Sequence, residues 1–219
     1  MDSEDCKTKY GKDLFFLAPF YHREYPPGLQ RLIVLDIDLL FMIDLAELNH
    51  QFNLMAEKEV FGIAAEFKIW FYKFLTTEFR DSHPETIIAS PGRKQGLKTG
   101  VILLDLKKLR DPASSILRSA LLPSISKQIA DTFSFKGKCG DQCQLNVLSW
   151  KYPEYFYQLP CQFNVQHDQF SSEEIKLFEE EEFDEDLEKD IIDQVLGKNP
   201  EDKRYQYCKQ PTKICHRNY

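Results

Sequence analysis

Apolar residues run almost unbroken through Leu32–Leu35, Val60–Ala65 and Gly100–Leu106. Runs of that length and composition predict strands buried on both faces. Helical patterns alternate with them, which predicts a parallel-type α/β sheet. Tyr10–Tyr21 reads as a short amphipathic helix stopped by Pro26-Pro27-Gly28, which cannot continue one. Asp44 is placed to cap a helix through Phe52, with Leu45, Leu48 and Phe52 on one face. Lys68–Phe79 spaces Trp70, Phe71, Phe74, Leu75 and Phe79 as a core-facing helix, and Ser82–Leu97, with two prolines and two glycines, reads as loop. Further helices are expected over Ser114–Leu121, Ser124–Thr132 and Gln142–Trp150, the last capped by Asp141. Phe156–Phe163 reads as a short strand, and strand-like character returns at Pro211–His216.

The first strand, Arg31–Leu35, empties into two carboxylates, Asp36 and Asp38. In an extended segment residues two apart share a face. Desolvated carboxylates need neutralising, pairing or a metal, and a hard divalent cation with phosphate oxygens in its remaining positions would suit them. The simpler reading is that Asp36 ends the strand and Asp38 caps the helix-like segment after it. Near the other end, Ser171–Leu196 carries the run EEEEFDEDLEKD with an apolar stripe through Ile175, Phe178, Phe183, Leu187 and Ile191. That pattern predicts a solvated helix laid over the domain. Residues 171–198 are thus expected to be an acidic helical insertion in a single domain spanning 1–219.

Composition narrows the picture further. The 219 residues suit one domain, and a hydrophobic content of 42% allows a sizeable core. The net charge of -7 argues against nucleic acid, although much of it sits in the acidic block. No stretch approaches the roughly 20 apolar residues that span a bilayer, and the N-terminus does not read as a signal peptide. The six cysteines permit disulfides; Cys139 and Cys143 hint at zinc, but Cys208 and Cys215 lack the spacing and paired histidines of a zinc finger.

Four landmarks stand in order: LDID ending at Asp38, GVILLDL from Gly100, GDQ from Gly140, and TKICH ending at His216. With the flanks DLFFLAPFYHREYPP, IADTFSFKGKCGDQ and LPCQFN, the chain resembles family-eight glycosyltransferases, and most of all their xylosyltransferase branch. The resemblance runs from Tyr10 to Asn218, apart from the acidic stretch after Gln166. It implies an α/β GT-A (Rossmann-like) fold and Mn²⁺-dependent transfer of a sugar, xylose or a related one, from a UDP-sugar with retention of configuration. Carried over residue by residue, Asp36, Asp38 and His216 would hold the metal. A histidine as third ligand suits Mn²⁺ better than Mg²⁺ or Ca²⁺. Asp141 would hold sugar hydroxyls, and Gln142 would lie near the anomeric carbon. An amide is a poor nucleophile, so Gln142 would stabilise charge during front-side attack. Tyr10 and Asp13 would lie on the donor side. Lys98, Thr99, Asn164 and Asn218 would face the substrates. The branch implies a glycosylated protein as acceptor, such as a xylosyl-glucose on an epidermal-growth-factor-like repeat. It also implies work in the endoplasmic reticulum or Golgi lumen, with a membrane anchor outside this sequence, where Cys161 could pair with Cys208 or Cys215.

The sequence departs from the family in places. A βα unit that contacts the uracil and ribose is expected before the D-x-D, and the chain reads as incomplete there. The family's Asn-Ser is Lys98-Thr99, and lysine can only donate where asparagine also accepts. GDQD becomes GDQC with Cys143, and His-Gly becomes His216-Arg217. These changes motivate an alternative: a degenerate member that folds and binds a protein partner without turning over sugar.

Overall fold

The computed structural model describes residues 20–66, 79, 82–83, 96–135, 140–166 and 213–216, without the side chains of Gln166, Cys215 and His216. The expected helix over Ser171–Leu196 lies outside the described residues, as do that over Lys68–Phe79 apart from Phe79, which is buried, and all of Tyr10–Tyr21 before residue 20. In chain order the elements are α1 (Tyr21–Glu24), β1 (Arg31–Leu35), β2 (Leu39–Phe41), α2 (Leu45–His50), β3 (Phe61–Ala65), β4 (Leu97–Asp105), α3 (Leu106–Arg110), α4 (Ser115–Ala120), α5 (Pro123–Thr132), α6 (Asp141–Lys151), β5 (Phe156–Leu159), β6 (Val165–Gln166) and β7 (Ile214–His216).

The main sheet has the order β1-β4-β3-β5, and a smaller one the order β2-β7-β6. In the main sheet both neighbours of β4 run against it and β3 and β5 pair in parallel, and in the small sheet β7 runs against β2 and parallel to β6. The expectation of a parallel sheet is therefore corrected to a mixed one. Continuous apolar runs report burial on both faces, not direction. Alternate residues of β4 supply two cores: Ile102 and Leu104 join one, Val101 and Leu103 the other. Leu32 and Val34 of β1 follow the first, Ile33 and Leu35 the second.

The first core is roofed by α3 to α6, through Leu106, Leu109, Leu117, Ile129, Leu145 and Leu148. Phe133 and Phe135 meet Trp150 edge-on, with ring centroids 5.6 and 5.4 Å away. Each fully buried leucine or phenylalanine adds roughly 1.5–3 kcal/mol, so α6, buried on nearly every side, is the fold's central helix. The second core lies under α2 and the small sheet, where Leu48, Phe52, Phe163 and Ile214 meet. Asp44 caps α2 as expected, accepting the Ala46 N–H at 2.8 Å. Leu48 and Phe52 are buried, but Leu45 is 45% exposed and leaves the expected apolar face. Gly62 of β3 has its own reason: a Cβ there would stand 3.0 Å from the Leu103 Cβ across the ladder.

Two boundaries differ from the sequence reading. Strand β4 begins at Leu97, three residues early, because Ala64 and Ala65 of β3 pair with Lys98 and Leu97 beyond a bulge. Strand β5 stops at Leu159, where Pro160 interrupts the ladder and Cys161–Phe163 coils into a 3₁₀ turn.

The segment feeding β1 is tied down by one side chain. The Arg110 guanidinium donates to the carbonyls of His22 (2.9 Å), Tyr25 (2.7 Å) and Leu29 (2.8 Å), with Pro27 at 3.3 Å. Replacing it by alanine removes a partner from each of these carbonyls. Arg110→Ala is expected to lower stability by about 1–3 kcal/mol in urea titrations. Arg110→Lys restores little, because one ammonium cannot span the fork.

Candidate active site

The carboxyl ends of β1, β3 and β5 and the amino end of β4 meet at one edge of the main sheet. Ligands of open α/β folds gather outside strand ends of this kind. Asp36 follows β1, and its N–H donates to the Gly100 carbonyl of β4 at 2.9 Å. The D-x-D is not extended: Ile37 and Asp38 form a turn that carries the chain from the main sheet to β2 of the small one. Ile37 stands wholly in solvent at 104% relative exposure, while Asp38 is half-buried. Asp36 is exposed as well, so of the two carboxylates only Asp38 is partly sheltered by the turn.

Strand β7 brings the distant chain end to this turn. Leu39, next to Asp38, pairs with His216, and Gln166 flanks His216 on the other side. Topology therefore places the His216 backbone beside the D-x-D, while its side chain is outside the described set. Among the described residues, no group of three or more His, Cys, Asp or Glu side chains comes together as a metal cage. The donor set is still chemically apt: two carboxylates on one turn, with a histidine one strand away, suit a divalent ion of manganese's kind.

Gly140 opens α6. Its φ of 65° and ψ of -138° are open to glycine and costly for other residues. The sequence reading makes Asp141 the cap of this helix; instead Gly140 is the cap and Asp141 the first helical residue. Burial pushes the Asp141 carboxyl up to about 6. Hydrogen bonds from the N–H groups of Gln142 and of Asp141 itself pull it down, and the negative charge of Asp36 adds to the rise. Asp141 thus feels the D-x-D across the site.

Gln142 follows on α6. Its Nε2 donates to the Glu66 Oε2 at 3.0 Å and to the Leu97 carbonyl at 3.0 Å. Asn146, one turn on and fully buried, grips the same Leu97. Its Oδ1 accepts the Leu97 N–H at 2.6 Å, and its Nδ2 donates to the Leu97 and Gln142 carbonyls at 3.0 and 2.8 Å.

Lys98 and Asn164 are also brought together: Asn164 Nδ2 donates to the Lys98 carbonyl at 3.1 Å. Asn164 is fully buried, and its Oδ1 has no hydrogen-bond partner. Thr99 is half-buried one residue along β4. Cys143 does not stand in for a site carboxylate. It turns into the first core, 6% exposed, and is disulfide-bonded, which removes it as a thiolate zinc ligand. Cys161 is disulfide-bonded too. Tyr10, Asp13, Arg217 and Asn218 lie outside the described residues.

Sequence reasoning missed Glu66 and Asn146. Both left a trace. Glu66 closes the buried strand FGIAA much as Asp36 closes RLIVL, and Asn146 lies four residues after Gln142, on the same helical face.

No family model matches the chain. It is 33% identical over 161 residues to mouse xyloside xylosyltransferase 1, covering 73% of this chain and 40% of that protein. The crystal structure of the mouse xyloside xylosyltransferase 1 apo form superposes with a TM-score of 0.76 at 27% identity, over 95% of this chain and 65% of that one. The galactosyltransferase LgtC, in complex with donor and acceptor sugar analogues, shares the fold at a TM-score of 0.52 and 16% identity, over 99% of this chain and 64% of that one. The chain thus spans less than two thirds of these relatives. Its mixed sheet and helices form the GT-A fold, and over most of its length the chain is similar in sequence and in structure to xyloside xylosyltransferase 1.

Proposed function

We propose that this chain carries the catalytic part of a Mn²⁺-dependent, retaining glycosyltransferase. It moves xylose, or a related sugar, from its UDP donor to a xylosylated glycan on a protein, epidermal-growth-factor-like repeats being one acceptor class. The observation that carries this reading is the D-x-D turn lying against β7, with Asp36 near enough to Asp141 at the start of α6 for their charges to interact.

A divalent ion held by Asp36, Asp38 and His216 would neutralise the diphosphate as the sugar leaves. The remaining work falls to the chain. Asp141 accepts hydrogen bonds from hydroxyls of the transferred sugar and keeps it oriented. The bond from the anomeric carbon to the phosphate oxygen breaks, and its electron pair departs with UDP. The acceptor oxygen bonds that carbon from the same face, and its proton passes to the departing phosphate. Gln142 has committed both amide N–H groups to Glu66 and Leu97, which leaves Oε1 as its remaining polar atom, suited to stabilising positive charge on the sugar. Lys98, Thr99 and Asn164 border the same edge, where the Asn164 Oδ1 lacks a partner in the protein.

Disulfides at Cys143 and Cys161 favour an oxidising compartment, the endoplasmic reticulum or Golgi lumen. No helix among the described residues is long and apolar enough to cross a membrane. Incubating the chain with UDP-xylose, Mn²⁺ and a xylosylated glycopeptide tests the activity directly: α-linked transfer supports it. Absence of both transfer and donor hydrolysis leaves a folded, degenerate relative.

Two further outcomes are expected. Mn²⁺ and UDP together should raise the melting temperature by an amount equivalent to about 2.7 kcal/mol at a hundredfold excess over Kd. Asp38→Ala should abolish that gain in differential scanning fluorimetry. The second concerns Asp141 in metal-free protein. Its carboxyl titrates near 6 when folded against 3.8 as an ordinary aspartate, so the folded state binds the extra proton between those values. Stability from this group is greatest below about pH 4 and declines as pH rises through about 6, by roughly 2–3 kcal/mol. Asp141→Asn should therefore be more stable than the parent at pH 7, with the advantage vanishing towards pH 4 in urea titrations with chelator present.

A further inference from the structure

Glu66 is 2% exposed, at the end of β3, with its backbone N–H fixed to the Gly96 carbonyl at 2.9 Å. Its carboxylate accepts from Gln142, and the other donor of that amide goes to the Leu97 carbonyl. We propose that Glu66 is a positioning residue, which orients and polarises the Gln142 amide for glycosyl transfer. The inference deepens the function proposed above and rests on its reading of Gln142.

The orientation argument is one of hydrogen-bond inventory. A glutamine amide has two donors on nitrogen and acceptors on oxygen only. A carboxylate and a peptide carbonyl both only accept. An amide turned the other way would set its oxygen against two oxygens, so only one orientation satisfies the pair, and Oε1 points away from both. The Leu97 carbonyl alone would not hold it so firmly, since Asn146 also donates to that oxygen. Glu66 is the acceptor that makes the orientation strict.

The polarisation argument is one of charge. A carboxylate accepting an amide N–H forms a charge-assisted hydrogen bond, roughly twice as strong as a neutral one. It draws the proton and shifts electron density along the amide towards Oε1. In a buried setting that shift is poorly screened. An Oε1 richer in electrons stabilises the cationic sugar better than it stabilises the neutral donor. The contribution therefore belongs to kcat rather than to donor binding.

A purely structural Glu66 would behave otherwise: its loss would lower stability and leave turnover by the folded fraction intact. The experiment measures UDP-xylose turnover with Mn²⁺ for the chain, Glu66→Gln, Gln142→Ala and the double variant, together with side-chain amide exchange of Gln142 by ¹⁵N NMR. Glu66→Gln is expected to lower kcat about ten- to a hundredfold, with KM for UDP-xylose and the melting temperature close to the parent's. In the Gln142→Ala background it should cost nothing further, because the two residues act as one unit. The Gln142 amide protons, slow to exchange in the parent, should exchange fast in Glu66→Gln. If Glu66→Gln does not fold, Glu66→Asp withdraws the carboxylate while keeping its charge and should show the same loss of amide protection with a smaller fall in kcat. Turnover by Glu66→Gln within twofold of the parent overturns the proposal, as do losses that multiply in the double variant or unaltered amide exchange. A parent that turns over no UDP-xylose, yet loses amide protection on Glu66→Gln, overturns the proposed reaction and supports the positioning.

Discussion

The fold hangs on the way Asn146 imitates a strand. Its amide takes both the N–H and the carbonyl of Leu97, as a neighbouring backbone would. Strand β4 loses its partner β1 before it reaches Leu97, since their pairing ends at Val101 and Leu35. Without Asn146, the part-buried Leu97 N–H would lose this hydrogen bond, a cost of about 1 kcal/mol. The same side chain is shut off from solvent and reaches back to the Gln142 carbonyl. One buried amide thus locks the central helix to the central strand at the point where the site begins.

The proposed site is arranged around that lock. Helix α6 starts at a glycine whose backbone conformation few other residues tolerate, and Asp141 and Gln142 follow it directly as the first helical residues. Across from them, the end of β1 turns outward and the small sheet takes over. That sheet joins strands far apart in sequence, and its register sets His216 opposite Leu39. Lys213 fastens it from the flank, with its ammonium 2.7 Å from Glu47 of α2 and 5.0 Å above the Phe163 ring.

Much of this was legible in the sequence, for reasons that differ by residue. The apolar runs marked the buried strands because burial on two faces leaves a direct imprint on composition. Asp44 was legible as a cap because capping is local. The D-x-D, the GDQ turn and the histidine near the end were legible through their resemblance to a family, and the structure gathers the first two and the backbone of the third. Strand direction was not legible, because nothing in a buried run records which neighbour it meets. The role of Cys143 was hidden for a similar reason: a cysteine in a motif reads as a site residue until its burial is known. Glu66 and Asn146 went unread because each acts through a partner about fifty or more residues away, and the local traces they leave do not name that partner.

The central claim is that Asp36, Asp38 and the β7 histidine form one cation site beside the start of α6. Anomalous scattering from crystals grown with Mn²⁺ and UDP tests it most directly. The account predicts one manganese peak within bonding distance of Asp36 and Asp38, with His216 completing the protein ligands and UDP phosphate oxygens on the open side. A peak elsewhere on the molecule, or none at Asp36 and Asp38 under saturating Mn²⁺, would contradict it.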